Sequence, residues 1–270
     1  MIATGFAENG ASVYIAARKE KQLQEAVADI KKSATGKVDY IAANVSVRTF
    51  SYSLMYLLTF VLQSKAGCDA LIQEFRKRES KLHVLINNSG VSWGGPYDNF
   101  PEEKGWDNVF NVNVKSVFYM TSGLTDLLAK DSNNADPARV INISSTSSLD
   151  PAAESPLSSA GNGTWSYQPS KAAVNHLTSA LALKLGPQHI TSVPSTVFFP
   201  SKMTAYGLRN HGEETFESAQ PSGRLGRPED IAGLTLFLSS PASAHVTGTH
   251  TIIDGGARYN LRGYTASTRL

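Results

Sequence analysis

Two residues spaced for proton chemistry stand in the stretch 166–171, SYQPSK, which opens a run of helical character, AAVNHLTSALALKL. Tyr167 and Lys171 lie about one helical turn apart and so share a face. An ammonium close to a phenol favours the phenolate, drawing its pKa from about 10 toward neutrality, so the tyrosine can exchange a proton with an oxygen of a bound molecule. A Tyr-x-x-x-Lys by itself is more often a packed tyrosine beside a solvated lysine. Here it has company. Asn87-Asn88-Ser89-Gly90 and Asn142-Ile143-Ser144-Ser145 each follow or close a strand-like run, and Asn111-Val112-Asn113-Val114-Lys115 falls within a helical stretch.

The elements that must position these groups alternate along the chain. Residues 12–17 (SVYIAA), 38–43, 82–86 (LHVLI), 139–143 (RVINI) and 248–253 (GTHTII) read as short buried strands. Between and after them, residues 19–32 carry Leu23, Val27 and Ile30 at helical spacing, residues 105–128 turn Val109, Val112, Val117 and Leu124 inward, and residues 170–185 form a further helix. Strand and helix in alternation predict an α/β fold, a doubly wound parallel sheet covered by helices on both faces, in one domain over residues 1–270. In such sheets ligands bind at the carboxyl ends of the strands, where the polar clusters fall. Residues 149–164, rich in Pro, Ser, Ala and Gly, read as a surface loop that, with residues 205–221, shapes the pocket.

Composition excludes several classes. Of 270 residues 41% are hydrophobic, enough for one large core, and 25 basic against 23 acidic residues give a net charge of +2 without a basic stripe, so no nucleic acid partner is expected. The single cysteine, Cys68, can form neither an internal disulfide nor a zinc cluster, and no metal is expected; a reducing, cytoplasmic setting fits. Residues 1–13 do not have the pattern of a signal peptide, so the Asn-x-Ser/Thr sequons at Asn44, Asn87, Asn142 and Asn162 are not read as glycan sites. Residues 50–62 are densely apolar but shorter than the roughly 18–20 residues of a membrane-crossing helix, so a membrane partner is not expected.

In order and spacing, the four motifs together resemble the short-chain dehydrogenase/reductase family, and the likeness runs from about Met1 to Asp254-Gly255-Gly256. The resemblance implies a Rossmann-type fold and a nicotinamide-dependent oxidoreductase. It places the catalytic tetrad on Asn113, Ser145, Tyr167 and Lys171: Ser145 to hold a carbonyl oxygen, Tyr167 to move the proton, Lys171 to lower the tyrosine pKa and bond the nicotinamide ribose, and Asn113 to order a relaying water. It implies cofactor contacts at Asn44 and Val45 near the adenine, at Asn87, Asn88, Ser89 and Gly90, at Tyr167 and Lys171, and at Ser201 by the nicotinamide. Arg18, past the second strand, stands where NADP-choosing members put a cation for the 2′-phosphate, which favours NADP over NAD; a solvated strand-end arginine is the bland alternative. Residues 223–230, GRLGRPED, resemble a structural turn of the family. The narrower likeness is to β-ketoacyl reductases, which implies a small carbonyl or alcohol substrate of 3-oxoacyl type and a homo-oligomer formed through the helices 105–128 and 170–185.

Three stretches depart from the pattern. Met1 already falls within the helix that, in the family, follows the first strand and its phosphate-holding Gly-rich turn, so a fold without the first strand is expected, with the edges of neighbouring strands exposed. Residues 47–63 read as an insertion, since excising them restores the family spacing. In residues 189–199, Thr196-Val197 replaces a Pro-Gly, so a misformed loop is expected there. An incomplete or mis-spliced reading frame would produce all three. The alternative function is accordingly a non-catalytic relic that keeps the fold, binds no dinucleotide and acts as an oligomerising or binding subunit.

Overall fold

The computed structural model describes residues 1–17, 19–42, 62–155, 157–197, 199–201 and 203–260. Strands β1 (Val13–Ala17) and β2 (Val38–Ala42) pair in parallel as a two-stranded sheet. β3 (Val84–Asn87), β4 (Ala138–Ile143), β5 (Ile190–Val197) and β6 (Thr251–Ile253) form a four-stranded parallel sheet in that order. The expected single sheet is thus divided in two, and β1 and β3 each keep one edge unpaired among the described residues. Burial reports the same division. All four residues of β3 are half-buried and Ala16 and Ala17 of β1 are exposed, whereas Ala138 through Asn142 of β4 are buried.

Helices α1 (Ile2–Glu8), α2 (Glu20–Ile30), α3 (Lys65–Arg76), α4 (Asn108–Phe110), α5 (Ser116–Ala129), α6 (Tyr167–Leu185), α7 (Ala205–His211), α8 (Glu213–Ser218) and α9 (Pro228–Ser239) complete the fold. Strand alternation sends neighbouring side chains to opposite layers. Leu85, Val140 and Ile190 pack with Cys68, Leu71, Leu124 and Leu181 from α3, α5 and α6. Val84, Ile86, Ile141 and Val193 pack with Leu234 and Leu238 from α9. This is the doubly wound arrangement expected from the sequence.

The helix read at residues 105–128 is broken into several turns. π-helical turns at Glu102–Asp107 and Asn111–Lys115 flank α4 before regular α5 begins. The wider turns re-aim side chains that a uniform helix would place elsewhere, and Asn113 lies in the second.

Around Thr196-Val197, where a misformed loop is expected, the structure shows a continued strand, and Phe198 and Lys202 beyond it lie outside the described residues. In place of a turn, β5 runs on through Val197, in register with β6 by the pairs Ser195↔Thr251 and Val197↔Ile253. Two β-branched residues prolong a strand where Pro-Gly would end it. Beyond it Thr204 donates its hydroxyl to the Phe199 carbonyl at 3.2 Å. Of the segment 47–63, only Leu62 and Gln63 lie among the described residues: Leu62 packs on the core and Gln63 bonds Asn108.

The turn at 223–230 is structural, as read. Arg224 pairs with Asp230, whose carboxylate also accepts the Arg227 backbone N–H at 2.8 Å and so caps α9. Arg224 and that N–H hold the Asp230 carboxyl down at about 2. Capped in this way, α9 receives α1, which packs so closely that a Cβ on Gly5 would lie 2.6 Å from the Ala232 Cβ. Substituting Gly5→Val should therefore cost about 1–3 kcal/mol by overpacking. Thermal denaturation followed by circular dichroism should show a midpoint lower by several degrees, and an unchanged midpoint would refute the close contact.

Candidate active site

Three chain segments bring the tetrad together at the carboxyl end of β4. Ser144 and Ser145 follow β4 directly, and the Ser145 hydroxyl accepts from the Ser147 N–H at 3.2 Å as a 3-10 turn begins. Tyr167 is the first residue of α6, with Lys171 on the next turn of the same face. The helix starts three residues before the sequence reading because Pro169 sits in its first turn, where a missing N–H costs no hydrogen bond. Asn113 comes from the π-helical turn across the site.

Lys171 is 4% exposed, and its ammonium donates to the Ile143 carbonyl at 2.9 Å. Its backbone carbonyl in turn accepts from the Ser144 hydroxyl at 3.3 Å. Burial favours the neutral amine and brings the Lys171 pKa down to about 8. Tyr167 hydrogen-bonds Ser145, which lowers the phenol, but burial outweighs that bond and the pKa is raised. The expectation that Lys171 draws the phenol toward neutrality is not met in this state. The ammonium lies 5.7 Å from the Tyr167 ring centroid while donating to Ile143, so desolvation dominates.

Asn113, 1% exposed, acts as a clamp. Its Oδ1 accepts from the Val91 N–H at 2.8 Å, and its Nδ2 donates to the Val91 carbonyl and to the Ser170 hydroxyl, both at 2.9 Å. Its side chain thus joins the loop after β3 to α6. Ser170 was not singled out in the sequence, although it flanks a residue that was. Ser170 also donates to the Tyr167 carbonyl at 2.7 Å, so one hydroxyl ties Asn113 to the helix start.

The other sequence-chosen residues divide. Gly90 faces the tetrad: a Cβ there would lie 3.4 Å from the Lys171 ammonium and 3.6 Å from Asn113 Oδ1. The absence of a side chain leaves space beside that ammonium. Asn87 instead turns inward, donating to Asn142 Oδ1 at 2.8 Å, while Asn142 donates to the Thr178 hydroxyl at 2.9 Å. This buried ladder joins β3, β4 and α6, and it explains two of the sequons. Asn88 and Ser89 are exposed beyond β3. Ser201 is also exposed, past β5, and bonds Thr204 ahead of α7 rather than the tetrad. Arg18, Asn44 and Val45 lie outside the described residues.

Among the described residues no group of acidic, histidine or cysteine side chains could hold a metal ion, and no helix is long and apolar enough to cross a membrane. Cys68 is fully buried, and burial pushes its thiol up to about 11, which makes it a core residue. A doubly wound parallel sheet with a serine, tyrosine and lysine at its carboxyl end defines a Rossmann-type oxidoreductase. A family model described as enoyl-(acyl carrier protein) reductase matches residues 57–258. The chain is 36% identical to the rhamnolipids biosynthesis 3-oxoacyl-(acyl-carrier-protein) reductase of Pseudomonas aeruginosa, over 95% of this chain and 90% of that protein. It is 31% identical to the 3-oxoacyl-(acyl-carrier-protein) reductase FabG of Thermotoga maritima, over 93% and 89%. Among solved structures it is similar to Pseudomonas aeruginosa RhlG in its NADP active-site complex, with a TM-score of 0.77 and 32% identity over 95% of this chain and 90% of that one. The chain belongs to the short-chain dehydrogenase/reductase family, and its class is that of an NAD(P)-dependent oxidoreductase.

The buried lysine has a consequence for stability. Its folded pKa of about 8 is below the unfolded value near 10.5, so between those values the unfolded chain binds the additional proton. Folding therefore bears the full penalty below pH 8, and stability rises as pH increases from 8 toward 10.5. At neutral pH, Lys171→Met should stabilise the fold by an amount on the order of a few kcal/mol while removing the ammonium. Urea denaturation of both proteins at pH 7 and pH 10 checks this: the gain should shrink at the higher pH, and a gain independent of pH would refute the linkage.

Proposed function

We propose that the chain is an NADP-dependent reductase that converts a carbonyl to an alcohol, with 3-oxoacyl thioesters as its substrate class. The observation that carries the reading is the convergence of Ser145 after β4 with Tyr167 and the buried Lys171 at the start of α6, the ammonium 5.7 Å from the Tyr167 ring centroid and bonded to the Ile143 carbonyl. NADPH, when bound, supplies the hydride that the carbonyl carbon accepts. Lys171, Tyr167 and the open face of Gly90 would hold its nicotinamide ribose end, and the space that a Gly90 Cβ would fill beside Lys171 fits such a group. Arg18, Asn44 and Val45 would serve the adenine end.

Ser145 orients the carbonyl oxygen toward Tyr167. Tyr167 transfers its proton to that oxygen as negative charge develops there, and Lys171, close beneath the ring, stabilises the phenolate left behind. A lysine with a pKa near 8 is poised to return the proton at neutral pH. Asn113 keeps the loop after β3 against α6, which fixes the distance between Gly90 and Lys171. The 3-oxoacyl assignment draws support from the names of the Pseudomonas and Thermotoga relatives, and the NADP assignment from the Pseudomonas complex. The exposed apolar Phe118 on α5 and Leu183 on α6 support association of copies through those helices.

The divided sheet favours a second reading, in which the chain keeps the family fold but binds no dinucleotide. Titrating the protein with NADPH while following tryptophan fluorescence separates the two, because saturable binding supports the reductase and its absence at millimolar cofactor supports the alternative. If the reductase reading holds, Tyr167→Phe should lower kcat by about a hundredfold to ten-thousandfold, since the transferable proton is lost, and weaken NADPH binding by no more than about tenfold, the worth of one hydrogen bond. Near wild-type turnover in a 3-oxoacyl thioester assay that follows nicotinamide absorbance would overturn the role of Tyr167.

A further inference from the structure

Large apolar side chains stand exposed on the segments that lead away from the tetrad. The loop after β3 is tied to Asn113 at Val91, and it carries Trp93, 36% exposed, and Tyr97, 77% exposed. Leu149, 49% exposed, ends the turn that Ser145 begins. Trp165 stands two residues before Tyr167.

These side chains are held in place. Gly95 and Gly163 pair as an antiparallel bridge, with Gly95 N–H to the Gly163 carbonyl at 3.1 Å and Gly163 N–H to the Gly95 carbonyl at 2.9 Å. The Trp165 indole N–H donates to the same Gly95 carbonyl at 3.1 Å. Its ring lies against Gly163 so closely that a Cβ there would be 2.6 Å from Trp165 Cε2. Tyr97 rests on this ring edge-to-face, with centroids 5.1 Å apart. Lys104 lies over Trp93, 5.8 Å from its centroid. The result is a pre-formed aromatic pair with Tyr97 open to water and Trp165 two residues ahead of Tyr167 in the chain, where α6 begins. Pre-organised aromatic area of this kind favours binding because little ordering remains to be done when a ligand covers it.

We propose that Tyr97 and Trp165, with Trp93 on the same loop as Tyr97, form the recognition surface for an extended alkyl arm of the carbonyl substrate. The inference deepens the reductase reading and rests on it for the reacting group. An alkyl chain laid on this surface gains roughly fourfold in kcat/KM for each methylene buried. Medium-chain 3-oxoacyl thioesters are then preferred over acetoacetyl thioesters, and the preference depends on Tyr97.

The test compares 3-oxodecanoyl and acetoacetyl thioesters of N-acetylcysteamine as substrates for the full chain and for Tyr97→Ala, whose exposed position spares the core. The expected result is a wild-type preference for the longer chain of at least about tenfold in kcat/KM, with the ratio falling several-fold in the variant. A ratio near one in the wild type, or one that Tyr97→Ala leaves unchanged, would overturn the proposal, as would a preference for aryl ketones over chain length. A second measurement covers failure of the reductase reading itself. If neither thioester turns over, decanoyl and acetyl thioesters of N-acetylcysteamine are titrated against tryptophan fluorescence. Tighter binding of the decanoyl probe, reduced in Tyr97→Ala, supports the surface without turnover, and equal binding refutes it.

Discussion

Burying the ammonium of Lys171 imposes the demand around which the site is arranged. A charge withdrawn from water must find a dipole or give up its proton, and here both responses are visible. The Ile143 carbonyl at the end of β4 accepts from the ammonium, while desolvation has already brought its pKa to about 8. That carbonyl is available because β4 ends there and the chain turns away into the Ser144-Ser145 segment. Tyr167 cannot move independently, since it sits one turn earlier on the same helix. The position of Tyr167 is therefore fixed by where one strand stops and one helix starts.

A layer of uncharged polar groups fixes that junction. Asn87, Asn142 and Thr178 bond in sequence across β3, β4 and α6, and Asn113 with Ser170 ties the loop after β3 to the same helix. Buried amides left unpaired would each cost on the order of 1–3 kcal/mol, so the register that satisfies them is strongly selected. These asparagines set where Tyr167 and Lys171 stand. Their role is that of an alignment device between strand ends and helix start.

Much of this could be read from residue order. The strands at 139–143 and 82–86 and the fold class follow from periodicity, and the meeting of Asn113, Ser145, Tyr167 and Lys171 is what the resemblance to the short-chain dehydrogenase/reductase family implies. Other features depend on contacts far apart in the chain. Nothing local shows that Gly95 pairs with Gly163 or that Tyr97 rests on Trp165. An i to i+5 slip that turns Asn113 toward Val91 leaves the apolar pattern of residues 105–128 nearly intact, so spacing could not reveal it. The tyrosine pKa went the other way from expectation because spacing reports proximity, whereas the sign depends on burial and on what the ammonium already bonds.

The two halves of the architecture differ in how they are held. Ser145, Tyr167 and Lys171 gather at the four-stranded sheet, where β4 is buried between helices on both faces and paired on both edges. The elements before them, β1 and β2, reach that sheet through helix packing, with α1 set against α9 by the close approach of Gly5 to Ala232 and Tyr14 packed on Phe75 of α3. Backbone pairing fixes distance and register together, whereas helix contacts fix distance more than register. A ligand that spans both sheets would therefore meet a rigid surface at the tyrosine end and a more adjustable one beyond β3. Position at the tyrosine end is set by the first, and affinity for the rest of such a ligand depends on how well the second is held.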